Sequence, residues 1–107
     1  MRQIEFEILL TLATGERHGY AIIQDIEARS NGALTVETGT LYRALQRLAE
    51  EDIVRLTDAP RGLASDDERR RFYAITAEGR RAAASEARRM AALVDAARRA
   101  SLIPRRS

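Results

Sequence analysis

The apolar positions in the first half of the chain fall at helical spacing. Ile4, Ile8, Leu9 and Leu12 share one face of a segment running from Ile4 to Thr14, which predicts a first helix stopped by Gly15. Arg17-His18-Gly19-Tyr20 restarts the chain, and Ile22, Ile23 and Ile26 line the apolar face of a second helix reaching about Ser30. Asn31-Gly32 is a turn signal. The short β-prone run Ala33-Leu34-Thr35-Val36 predicts a brief strand. In a third helix Leu41, Leu45 and Leu48 face the core with Ala44 and Ala49 beside them, while Thr40, Arg43, Gln46, Arg47 and Glu50 share the other side. Glu50-Glu51-Asp52 stand at its C-terminal end, where the macrodipole disfavours acids, so a frayed and early stop is expected there.

The period then changes. Ile53 to Thr57 alternates as a strand, residues 58–68 hold Pro60, Gly62, Ser65 and several acids and read as a loop, and Arg71 to Thr76 alternates again. Phe72 and Ala74 are placed on one side of that second strand and Tyr73 and Ile75 on the other, which makes a hairpin. Thr76 is an N-cap residue for a last helix reaching about Leu102. Ala83, Ala87, Met90, Val94 and Ala97 repeat along it at alternating spacings of four and three, an a/d seam over about two heptads. Small residues let backbones approach closely but supply little apolar area. The first helix, through Ile8 and Leu12, is therefore expected to help the seam hold two chains together. Pro104 to Ser107 read as a loose tail. Three helices followed by a hairpin and a long helix give a mainly α (α+β) fold with the winged helix-turn-helix arrangement. In it the third helix lies in the DNA major groove and the hairpin tip reaches beside it. Residues 1–76 would form the winged-helix DNA-binding domain and residues 77–107 the dimerisation helix and short tail.

Composition narrows the function classes. At 107 residues and 45% apolar content the chain suits one globular domain with a modest core. An aromatic content of 5% and the lack of Trp argue against stacking platforms for single strands. Without Cys there is no disulfide scaffold, thiolate metal site or Cys nucleophile. The start Met1-Arg2-Gln3-Ile4-Glu5 is no signal peptide and no apolar run is long enough to span a bilayer, so a cytoplasmic protein with no membrane partner is expected. All 18 basic residues are Arg, which suits bidentate phosphate and guanine contacts but equally a GC-rich codon usage. Residues 38–76 balance seven Arg against seven acids, whereas residues 77–107 carry eight Arg against three acids. DNA binding must therefore rest on where individual arginines point, not on a bulk field. An enzyme is not supported. Thr38-Gly39-Thr40 lacks the glycine spacing and Lys of a P-loop, and His18, the only His in the sequence, is not surrounded by a cluster of His, Cys and carboxylates and reads as a capping residue. Neither cofactor nor metal is expected.

The residues also carry a family likeness. "ILLTLATGERHGYAIIQDIEARSNG", "TGTLYRALQRLAEEDIVR" and "ERRRFYAITAEGRRA" resemble the PadR family of bacterial transcriptional regulators. His18-Gly19-Tyr20 and Gly39-Thr40-Leu41-Tyr42 are the most specific pieces, and Arg70-Arg71-Phe72-Tyr73 and Thr76-Ala77-Glu78-Gly79-Arg80 add to them. The likeness covers residue 4 to about residue 100. It implies a winged-helix homodimer that represses transcription, dimerised by the C-terminal helix with help from the first. It also implies that a small aromatic or drug-like effector acts near the dimer interface, as in some relatives. The chain departs from the family where Ser-Pro commonly precedes Gly-Thr-Leu-Tyr: here Glu37-Thr38 stands, with Thr38 expected to cap the helix in place of Pro pre-setting its first turn, and with an acid brought near the expected phosphates.

The candidate contacts follow. Thr38, Gly39 and Thr40 open the third helix, whose free backbone N–H groups suit DNA phosphates, although ordinary capping would place the same residues there. Tyr42 lies between core and polar face and can serve both. Arg43, Gln46 and Arg47 are the candidate base readers, Arg for guanine and Gln for adenine. Their bland alternative is a solvated face with Arg47 paired to Glu50 or Glu51. Arg69, Arg70 and Arg71 flank the wing, as minor-groove arginines would, but follow the acids Asp66, Asp67 and Glu68 and could instead balance them. Tyr20, with Arg17, opens the helix that would cross the backbone. Two readings remain: a sequence-specific homodimeric repressor on a pseudo-palindromic operator, and a winged-helix protein–protein interaction module without specific DNA binding.

Overall fold

The computed structural model describes residues 1–57 and 71–104. Its elements are α1 (Gln3–Leu12), β1 (Arg17–His18), α2 (Gly19–Arg29), α3 (Thr38–Glu50), β2 (Val54–Thr57), β3 (Phe72–Ile75) and α4 (Ala77–Arg99). The expected periodicities account for the packing. Ile8, Leu9 and Leu12 of α1, Ile22 and Ile26 of α2 and Leu41 and Leu45 of α3 form one almost fully buried cluster. Across its edge Thr11 donates to the Asp25 carboxylate at 2.6 Å, and Arg29 joins Asp25 at 3.0 Å to Glu7 at 2.6 Å, tying α2 to α1.

The strand expected at Ala33 to Val36 does not form. The Leu34 N–H is taken by the Ser30 hydroxyl and the Val36 N–H by the Glu27 carboxylate, both at 3.0 Å. These α2 side chains occupy donors that a sheet ladder would use, while Val36 is buried in the core. The third strand is instead the two-residue β1, and the antiparallel order is β1-β3-β2. Because β3 is central, Phe72, Tyr73 and Ala74 are all buried, so its two faces are both covered.

The early stop expected for α3 is also overturned. The helix runs through Glu50 and ends on a chain reversal in which Asp52 takes φ +59°, the Asp52 N–H bonds Ala49 O and the Ile53 N–H bonds Leu48 O. This is a Schellman end, and the buried Ile53 anchors it. Satisfied carbonyls and that anchor outweigh the few tenths of a kcal/mol by which acids trouble a helix C-terminus. Thr76 caps α4 as expected, its Oγ1 accepting from the Gly79 N–H at 2.9 Å and lying 2.6 Å from Asp52 O. Gly79 packs so closely on the Ile53 carbonyl that a Cβ has no room. The root of α4 is thereby fixed to the corner between α3 and β2. The helix extends about 34 Å at 1.5 Å per residue, and its distal half leaves Leu93 58% exposed.

Candidate nucleic-acid interface

At about 100° per residue, Gly39, Arg43, Gln46 and Glu50 run along the outermost line of α3, opposite the buried Leu41, Ala44, Leu45 and Leu48. The first helical backbone bond goes from the Leu41 N–H to Glu37 O at 3.0 Å, so the N–H groups of Thr38, Gly39 and Thr40 face outward, as at any helix start. Thr38, Gly39 and Thr40 are all exposed. The N-cap is Glu37, whose side chain makes no capping bond; Thr38 is not the cap but the first helical residue, the position that Pro suits. The reason is the backbone: Glu37 is extended, at φ −75° and ψ 144°, and the helix begins after it.

The side chains of this face are not equally available. Arg43 folds back over the first turn, its Nη2 3.5 Å from the Thr40 hydroxyl and its Nη1 beside Gly39, and it has no carboxylate partner among the described residues. Gln46 is exposed on the outermost line. Arg47 lies on the flank toward α1, where its Nε meets the Glu5 carboxylate at 3.3 Å, rather than pairing with Glu50 or Glu51. Tyr42 lies on the opposite flank, 43% exposed, with its hydroxyl against Gly19, where a Cβ would collide with it. Burial chiefly, with Tyr42 nearby, pushes the Tyr73 phenol above its ordinary value, and Arg71 opposes this.

Around α3 the other expected contacts are dispersed. Tyr20 projects from the first turn of α2, 61% exposed. Arg17 bonds Glu16 O at 2.8 Å and the Thr14 hydroxyl at 3.3 Å. His18 is the cap of α2, its Nδ1 accepting from the Ala21 N–H at 3.1 Å, and its ring meets Phe72 edge-on with centroids 5.5 Å apart. Arg71 is exposed at the foot of β3; Arg69 and Arg70 lie outside the described residues. Arg55 on β2 is exposed too. It had only its alternating position in a strand to single it out.

The surface expected to join two chains needs a correction. Ile8 and Leu12, at 0% and 1% exposure, are spent on the chain's own core and offer nothing to a partner. The α1 surface beside α4 is carried by Phe6, Leu10 and Ala13, which with Ala83, Ala84 and Ala87 border a groove of about 260 Å³. Their spacing of four and three was a second apolar stripe, hidden because α1 is apolar on two sides. Ala83, Met90 and Ala97 are half-buried on α4, and Ala87 and Val94 are exposed.

The family model of the "Transcriptional regulator PadR-like family" matches residues 8–85. The chain belongs to this family. PadR-family regulators are transcription factors and not enzymes. An uncharacterized protein of Lysinibacillus sphaericus is 34% identical over 73 residues, covering 68% of this chain and 64% of that protein; the match thus spans less than two thirds of the relative's length. Among solved structures, a PadR family transcription regulator from hypervirulent Clostridium difficile R20291 superposes with a TM-score of 0.76 at 20% identity, covering 92% of this chain and 97% of that one. Bacillus subtilis PadR in complex with operator DNA superposes with a TM-score of 0.65 at 21% identity, covering 78% of this chain and 46% of that one. The winged-helix fold with a long C-terminal helix is that of PadR-like regulators. Among the described residues no helix is long and apolar enough to cross a membrane.

Proposed function

We propose that this PadR-like chain is a cytoplasmic repressor that binds double-stranded DNA as a homodimer on a pseudo-palindromic operator. Residues 1–76 are the DNA-binding domain and residues 77–107 the dimerisation helix and tail. The observation that carries the reading is the first half of α3, where exposed Thr38, Gly39 and Thr40 present the free N–H groups of the helix start and the Arg43 guanidinium, without a carboxylate partner among the described residues, lies against the Thr40 hydroxyl. Such a turn suits a phosphate, and the line beyond it offers Gln46 to base edges. That the related B. subtilis PadR was solved on operator DNA supports the same use of the fold. Tyr20, Tyr42 and Arg17 would hold the flanking backbone, and Arg69, Arg70 and Arg71 the groove beside the wing. The stripe of Phe6, Leu10 and Ala13 meets the α4 seam of a second copy, placing two α3 helices about one helical turn of DNA apart. A small aromatic or drug-like effector acts in this seam by favouring one angle between subunits, which requires different affinity for the two arrangements.

Arg43→Ala tests the reading. On the preferred duplex it is expected to weaken binding by about 1–3 kcal/mol while sedimentation still finds the dimer. Unchanged affinity would remove Arg43 from the DNA face and favour an interaction module that binds protein through this surface.

A further inference from the structure

Arg47 is on the DNA side of α3 by sequence, yet its charge is spent inside the molecule. Its Nε lies 3.3 Å from Glu5 Oε2, and the two side chains are 35% and 14% exposed. Among the described residues the other Glu5 oxygen accepts just the Arg2 backbone N–H, at 3.0 Å. If Arg47 swung away toward DNA, Glu5 would keep a single neutral donor in a mostly covered site. An ion pair between fully exposed groups is weak, but a carboxylate this covered loses a charged hydrogen-bond partner that water does not fully replace. The freed carboxylate would also stand on the flank of α3 that approaches the duplex. Both effects hold Arg47 on α1.

We infer that Glu5 is a positioning residue of the DNA face: by binding Arg47 it withholds one positive charge from the phosphates and leaves Gln46 as the base-reading side chain of the second half of α3. The inference rests on the DNA-binding reading above. It makes α1 the element that sets how many phosphate contacts α3 makes, and so how steeply binding depends on salt.

The experiment is a salt series, from 50 to 200 mM, of affinity for the preferred duplex and for random duplex, with the full-length chain and its Glu5→Gln, Arg47→Ala and doubly substituted variants. Gln retains an acceptor for the Arg2 N–H, and thermal melting checks that each variant folds. Glu5→Gln is expected to bind both duplexes more tightly at low salt and to steepen the logarithmic salt slope by about 0.9, the release of counterions at one phosphate, which over a fourfold rise in salt is roughly a further 3.5-fold loss of affinity. Arg47→Ala frees the Glu5 carboxylate on the same flank and is expected to weaken binding to both duplexes, but it removes no phosphate contact and keeps the slope of the parent chain; the double variant is expected to return to the parent affinity and slope. A parent slope that falls by about 0.9 in Arg47→Ala would overturn the inference, because Arg47 would already be on a phosphate. Tight binding that persists in the double variant would overturn it too, since only the lost negative charge would then matter. A parent chain that binds neither duplex would instead strike the DNA-binding reading itself. Should Glu5→Gln fail to fold, the Arg47→Ala slope still decides.

Discussion

Glu37 is the acid at which α3 begins. It holds the N-cap of α3 without a side-chain capping bond, and its carboxylate stands one residue from the N–H groups that face outward. Ser at that position would accept an N–H of the first turn, a bond worth about 1 kcal/mol, and would remove an acid from beside the expected phosphates. Glu37→Ser is therefore expected to raise the unfolding free energy by about that amount and to tighten binding to preferred and random duplex alike. Denaturant titration and a binding isotherm on each duplex check the two effects. A gain confined to stability would mean that no phosphate approaches this corner. Gly19 shows a different constraint: the Tyr42 hydroxyl lies against it and leaves no room for a Cβ, while Tyr42 as a whole is half-exposed.

Among the elements, α1 and α2 are fastened by the group of Thr11, Asp25, Arg29 and Glu7. The Thr11 hydroxyl above all holds the Asp25 carboxyl below its ordinary value of 3.8, burial opposes it, and Arg29 and Arg17 add to the lowering. A folded-state value below the unfolded one stabilises the fold at pH above 3.8, and the stabilisation is lost as pH falls through the lowered value. Asp25→Asn should therefore melt below the parent chain at pH 7, and the gap should close as the buffer is taken well below 3.8. Because Asp25 is about half exposed, the gap is modest. Equal melting temperatures at neutral pH would show that this clamp adds nothing. The same elements show what could be read in advance. The stripe of Leu41, Leu45 and Leu48 and the Thr76 cap were legible because each depends on residues three or four apart. The strand β1 was not, since two residues carry no alternation and its partner lies far along the chain. Val36 misled because side chains of α2, not a neighbouring strand, take up the backbone there. The Glu5–Arg47 pair spans 42 positions, and nothing in local spacing announces it.

For the molecule as a whole, the division of labour follows from where apolar area remains. The core consumes Ile8 and Leu12, yet α1 still shows Phe6 and Leu10 beside an α4 whose far half has Leu93 and Val94 in solvent. A 53 Å long molecule whose α4 leaves Leu93 and Val94 exposed and whose α3 turns a polar face outward suits a two-fold dimer reading two half-sites. The net charge of +2 supplies little general attraction, so affinity has to come from a few placed contacts, and specificity should be visible even in modest salt. Selection from random duplex DNA with the purified chain, followed by the affinity of the winning sequence across a salt series, tests this most directly. A two-fold symmetric winner is expected, with half-sites about one helical turn apart and binding that weakens as salt rises, by an amount that counts the phosphate contacts. A selection that enriches no sequence, or a single asymmetric site bound by one chain, would contradict it.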